Sequence, residues 1–150
     1  MSDLFKSIYI ELAREHKLKI KNNFFLECNE FTIDSGYKTF KKLLTQDVSS
    51  KNLDFTGIVT MNDLLATGVY KVANELGIDI PGNYSIIGYD DIEISSVVKP
   101  PLTTVHQSRK RIGRESVAKL LYNIKNQEKD HENVVFRPYI VIRGSVRNIQ

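Results

Sequence analysis

Three pairs of polar residues, Asn62-Asp63, Asp90-Asp91 and His106-Gln107, each stand at the end of a short apolar run. Asn62 and Gln107 each carry a donor and an acceptor on one amide, whereas an ionised Asp90 only accepts. Such groups fix the hydroxyls of a sugar or the edges of a purine, and Phe31 or Tyr89 can supply an apolar face beside them. Their separation along the chain is no obstacle. A parallel sheet brings the carboxyl ends of its strands to one rim, which is where open α/β sheets hold small ligands.

Each pair also has a plainer role. Asn62-Asp63 makes a good helix start, and Asp90-Asp91 can cap whatever follows the strand. Asp63, Asp90 and Asp91 together could hold a divalent cation, but no His or Glu stands at a ligand spacing, so no metal site is expected. His106 suits a satisfied core histidine as well as a base. No glycine loop that cradles phosphates, nucleophile elbow or zinc spacing occurs, so neither catalytic residues nor a cofactor are expected.

Alternating strands and helices must position these residues. Apolar residues at helical spacing (Phe5, Ile8, Leu12) predict a helix from Ser2, its possible cap, to about Leu18, and Asn23 to Cys28 reads as a strand. Thr32 opens a second helix with Ile33, Tyr37, Phe40 and Leu44 on one face, and Asp47 to Asp54 is a polar loop. Phe55 to Met61 is a strand in which Gly57 suggests a close approach. A third helix runs from Asn62 through Leu65, Val69, Val72 and Leu76, and Gly77 stops it. After the turn Pro81-Gly82-Asn83, Tyr84 to Gly88 reads as a strand buried on both faces. Ile92 to Val98 is short and irregular, and Leu102 to Gln107 is another strand. A long helix from about Ser108 turns Gly113, Val117, Leu120 and Ile124 inward, and Asn126 to Asn133 is a charged loop. Val134 to Arg143 is a last strand near an edge, because Pro138 cannot donate to a ladder. The fold class expected is α/β, a parallel sheet flanked by helices. The chain opens on a helix with no strand before it, as if the first part of a longer fold were absent.

Composition bounds the function. A chain of 150 residues with 41% hydrophobic content can bury one core. A net charge of +3 with no compact basic run is ordinary solvated surface and a weak signal for nucleic acid. The single cysteine, Cys28, excludes an internal disulfide and suits a reducing compartment. With no signal-peptide core and no apolar span of membrane length, a cytoplasmic location without membrane contact is expected.

Longer motifs carry a resemblance. Phe55-Thr-Gly-Ile-Val-Thr-Met-Asn-Asp-Leu-Leu-Ala-Thr-Gly68, Gly77-Ile-Asp-Ile-Pro81, Ser85-Ile-Ile-Gly-Tyr-Asp-Asp91 and Pro100-Pro-Leu-Thr-Thr-Val-His-Gln107 resemble the LacI/GalR family of bacterial transcription regulators in order and spacing. Glu30 to Tyr37, Ile112-Gly113 and Val141-Ile-Arg-Gly-Ser145 extend the likeness over nearly the whole chain. The resemblance implies a two-lobed core like that of periplasmic sugar-binding proteins, behind a DNA-binding headpiece. Residues 1–150 would be the C-terminal part of that core, with 102–125 crossing back to the first lobe and no headpiece present. It further implies that Asn62, Asp90 and Gln107 bind a small-molecule effector, that Phe31 stacks on it, and that Val69, Val97 and Val98 lie at a homodimer surface. DNA would be reached only through a headpiece that this chain lacks. Without the first lobe, Val117, Leu120 and Leu121 would be left exposed. Sugar-binding members often carry an arginine near the start of the first helix, where Leu4 and Phe5 stand here. The function implied is that of a sensing and dimerising region rather than an enzyme. A solute-binding protein for sugar transport is the alternative, opposed by the regulator-like run Pro100-Pro-Leu-Thr-Thr-Val105.

Overall fold

Among the described residues four strands join in one sheet in chain order: β1 (Gly57–Val59), β2 (Ser85–Asp90), β3 (Thr103–His106) and β4 (Tyr139–Val141). The computed structural model describes residues 3–18, 24–46, 55–126 and 133–148. β1, β2 and β3 are parallel, with Ile58 opposite Ile86 and Gly88 opposite Thr104. The last strand pairs antiparallel, Val105 opposite Ile140, so the sheet is mixed rather than wholly parallel. β4 occupies the edge, as Pro138 requires.

Five helices accompany the sheet among the described residues: α1 (Asp3–Glu15), α2 (Ile33–Gln46), α3 (Asp63–Leu76), α4 (Glu93–Val97) and α5 (Arg109–Asn126). The amide of Ser35 donates to the Thr32 hydroxyl (3.2 Å) at the start of α2. α3 ends at Gly77, whose φ of 66° is the left-handed setting that a residue without Cβ adopts at no steric cost. α3 packs on β2 and on α2, and burying both faces explains why nine of its fourteen residues are out of water. Phe40, Leu65, Ala66, Val69, Val72, Ile86 and Leu102 form the centre of the core. Buried Ser145 locks the strands behind it: its hydroxyl donates to Ile86 O (2.6 Å) and accepts from the Thr103 amide (2.8 Å).

Several expectations are corrected. Residues 24–28 join no strand pairing of the sheet; their apolar side chains serve packing instead, with Phe24 edge-on to Phe55 (5.4 Å) and the Lys6 ammonium over Phe25 (5.2 Å). Gly57 meets no close neighbour, so no close approach requires it. The segment after Asp91 is the short helix α4 rather than irregular chain. The stripe of α5 does not turn inward: Val117, Leu120 and Ile124 are 57%, 59% and 66% exposed. Among the described residues α5 makes no extensive contact with another helix or strand, so its periodicity finds no face to pack on. Leu121 is exposed beside them. The expected cap at Ser2, the start of the strand at Asn23, the loop from Asp47 to Asp54 and most of the loop from Asn126 to Asn133 lie outside the described residues.

Candidate ligand site at the strand ends

The rim is built where β1, β2 and β3 end side by side. After β1 the Thr60 amide still donates to Ile87 O (2.9 Å), and the Thr60 hydroxyl donates to Asn62 O (2.9 Å), turning the chain into α3. Asn62 caps that helix, its Oδ1 accepting the Leu65 amide at 2.9 Å. Its Nδ2 donates to Phe31 O at 3.2 Å, which draws the segment before α2 to the rim and leaves the Phe31 ring exposed there. One N–H and one lone pair of this amide stay uncommitted by those two bonds. The helix-cap role and a ligand role are therefore compatible in Asn62.

β2 delivers Asp90, opposite His106 of β3. Gln107 follows β3, and its Nε2 donates to Asp90 Oδ1 at 2.8 Å. Asp90 and Asp91 have φ of 109° and 54°, so the chain leaves the sheet through two consecutive left-handed residues. Asp91 does not cap α4, whose cap position is Ile92 with no side-chain bond. Its carboxylate instead lies between Arg143 and His106, Oδ1 accepting from Arg143 Nη2 at 2.6 Å and Oδ2 facing His106 Nδ1 at 2.8 Å. Burial opposes ionisation of Asp91, but the bonds from Arg143 and His106 outweigh it and hold the carboxyl below its usual range. The His106 ring stacks on Tyr139 of β4 at 4.8 Å, so this histidine is engaged by its surroundings rather than free as a base.

Asp63 lies beneath the rim and is fully buried. Its Oδ1 accepts from the Thr104 hydroxyl (2.6 Å) and its Oδ2 from the Ile92 amide (2.9 Å). Burial pushes its pKa up; the bonds from Thr104 and Ile92 pull the other way, and the negative charges of Asp90 and Asp91 add to the rise. Both Asp63 oxygens are thus occupied within the chain. Among the described residues no group of three or more His, Cys, Asp or Glu is placed to hold a metal ion.

Asn62, Asp90 and Gln107 end neighbouring strands as half-buried side chains, and Phe31 joins them through Asn62. The three valines do not lie together at the surface. Val69 is 5% exposed and belongs to the core, Val98 packs against that core, and Val97 is 67% exposed on α4. Sequence reasoning assigned no chemistry to Arg143 or Tyr139, which stand behind the rim on and beside β4. The only signal for Arg143 was its place in the motif Val141 to Ser145.

Residues 1–146 match the family model described as a periplasmic binding protein-like domain. The HTH-type transcriptional repressor PurR of Histophilus somni (strain 129Pt) is 35% identical over 136 residues, 91% of this chain and 39% of the relative. That of Haemophilus influenzae (strain PittEE) is 37% identical over 138 residues, 90% of this chain and 39% of the relative. Among solved structures, the LacI family transcriptional regulator of Enterococcus faecium with bound ribose has 34% identity and a TM-score of 0.72, over 81% of this chain and 42% of that one. A regulator of the same family from Sanguibacter keddieii has 25% identity and a TM-score of 0.79, over 90% of this chain and 50% of that one. The chain spans about two fifths of the length of the curated relatives it matches. Matched along nearly its whole length and ending its strands in the rim just described, the chain belongs to the periplasmic binding protein-like family, as an effector-binding region of the LacI/GalR type.

Proposed function

We propose that the rim binds a small-molecule effector, a sugar or a purine-like ring, and that in a longer regulator this binding controls DNA recognition by a separate headpiece. The observation that carries the reading is the Asp90–Gln107 pair, bonded at 2.8 Å on neighbouring strand ends beside Asn62 and Phe31. An ionised Asp90 accepts from a ligand hydroxyl or ring N–H, Gln107 and Asn62 supply both bonding senses, and the Phe31 ring offers a flat apolar face. The ribose bound by the Enterococcus faecium relative makes a sugar the first probe. In the usual two-state account, the effector shifts a population by favouring the closed arrangement of its site.

Calorimetric titration of the chain with ribose, adenine, guanine and hypoxanthine tests this. Binding of one of them is expected, weakened tenfold or more by Asp90→Ala, which corresponds to about 1.4 kcal/mol or more of lost binding energy. Failure of all four to bind, or equal affinity in the variant, would overturn the assignment.

The chain is further proposed to dimerise through α4, where Val97 presents an apolar side chain to solvent. Val69 and Val98 support that surface from inside rather than forming it. Sedimentation at micromolar concentration is expected to show a dimer that Val97→Asp converts to a folded monomer. A wild-type monomer, or a variant that stays dimeric, removes α4 as the contact.

A further inference from the structure

We propose that Arg143 is a positioning residue for Asp90: acting through Asp91, it holds the left-handed turn in the setting that lays the Asp90 carboxylate against Gln107. The inference rests on the reading of Asp90 and Gln107 as ligand groups.

Two consecutive non-glycine residues with φ of 109° and 54° are a strained way to leave a strand. Such a turn persists only where the surroundings over-determine it. Several contacts do so here, the Arg109 guanidinium on Asp91 O (3.2 Å) and the Ser95 hydroxyl on Asp91 Oδ1 (3.3 Å) among them. The amide just after the turn, that of Ile92, donates to Asp63 Oδ2 (2.9 Å). The carboxylate within the turn is gripped on one oxygen by Arg143 (2.6 Å) and on the other by His106 (2.8 Å).

Arg143 is the anchor tied to the most elements. Its Nη1 donates to Leu102 O (2.8 Å), at the entry to β3, and to Ser95 Oγ (3.1 Å), inside α4. Its own amide donates to Thr103 Oγ1 at 2.9 Å. The guanidinium is therefore fixed at its root and at its fork, and it presents Nη2 to Asp91 with a set direction, which a lysine ammonium on a flexible stem cannot do. These bonds go to Asp91, Ser95, Leu102 and Thr103 and to none of Asn62, Asp90 and Gln107, so Arg143 acts on the ligand groups only through the turn and the start of β3. Loosening Asp91 lets Asp90 relax toward ordinary φ, which swings its carboxylate away from Gln107.

The test reads the Gln107 side-chain amide by proton–nitrogen NMR, which needs no ligand. In the wild-type chain the Nε2 protons are expected downfield of a solvated glutamine and slow to exchange with water. In Arg143→Ala they are expected to return to solvated values while the core amides of Val72 and Ile86 keep their shifts; in Arg143→Lys the return is partial. Should Arg143→Ala fail to fold, Arg143→Lys decides in the same way. Unchanged Gln107 signals in a folded variant, even one with a lower melting temperature, would mark Arg143 as merely structural and overturn the proposal. Adding ribose and the three purine bases to the same samples separates the two claims. A wild type that binds one of them is expected to lose at least tenfold affinity in the variant. A wild type that binds none refutes the ligand reading, and the Gln107 signal still decides the role of Arg143.

Discussion

Gly68→Ala is expected to lower the stability of the chain by about 3 kcal/mol, the upper end of what overpacking a well-filled core usually costs. For a chain of this size that is a fall of roughly 6–12 °C in melting temperature. Gly68 of α3 and Gly36 of α2 mark the place where the two helices run backbone against backbone. A Cβ on Gly68 would press on Ile33 O, on the Tyr37 amide and, at 2.8 Å, on the Gly36 carbonyl carbon. A Cβ on Gly36 would meet Leu65 O and, at 2.9 Å, Leu65 Cα. All of these are main-chain atoms, so no rotamer change relieves the contact and the helices themselves must separate. Separation would uncover Phe40, Val69 and Tyr70 together, because these belong to the same core. The control lies on α5, where a Cβ on Gly113 would meet nothing within 4 Å. Gly113→Ala is accordingly expected to gain about 0.5–1 kcal/mol from helix propensity and a less flexible unfolded chain. Thermal and urea unfolding followed by circular dichroism measure both. Equal melting of Gly68→Ala and the wild type would show that α2 and α3 do not approach as described.

Asp63→Ala is expected to be comparably damaging, at about 2–4 kcal/mol, because it strands two buried donors at once. The Thr104 hydroxyl and the Ile92 amide both lose their acceptor. Asp63→Asn is expected to be milder, near 1 kcal/mol, since the Thr104 hydroxyl can rotate and accept from the new amide while Oδ1 receives the Ile92 N–H. The two replacements also separate in their pH dependence. Burial raises the Asp63 pKa, so the folded chain holds that proton more tightly than the unfolded one. The resulting contribution to stability is present below the usual carboxyl pKa of 3.8 and is lost as pH rises through the higher folded value. Asparagine has no such proton, so the deficit of Asp63→Asn relative to wild type is expected to be largest in acid and to shrink as pH rises through that window. A deficit that grows with pH would mean that Asp63 is stabilised as the anion. Gly88 belongs to the same device, since a Cβ there would press on the Asp63 carboxylate and approach Leu102 Cδ2 at 2.8 Å.

Much of the rim was legible in the residues alone. Asn62, Asp90 and Gln107 each close a short apolar run, and strands that run parallel must end their runs on one side. The start of α3 at Asn62 and its stop at Gly77 were equally legible, because a cap is a contact between residues three or four apart. These signals are local, and local conformation reads directly from residue type and spacing.

Other features were settled by packing. Nothing in the alternation of Val134 to Arg143 states a direction, and β4 proved antiparallel, since a strand's side-chain period is the same either way. The apolar spacing of α5 showed that the helix has a face but not whether anything covers it, and that face is exposed. Phe24 to Cys28 has strand-like composition, yet pairing needs a free ladder edge in register, which composition does not supply. Above all, Asp91 finds Arg143 across 52 residues of chain and Asp63 finds Thr104 across 41. The residue types determined that this chain would build a polar rim at the end of a sheet. The tertiary fold alone decided which of those polar groups keep bonding capacity at the rim and which are consumed in holding it in place, because buried charges take partners by proximity in space, not in sequence.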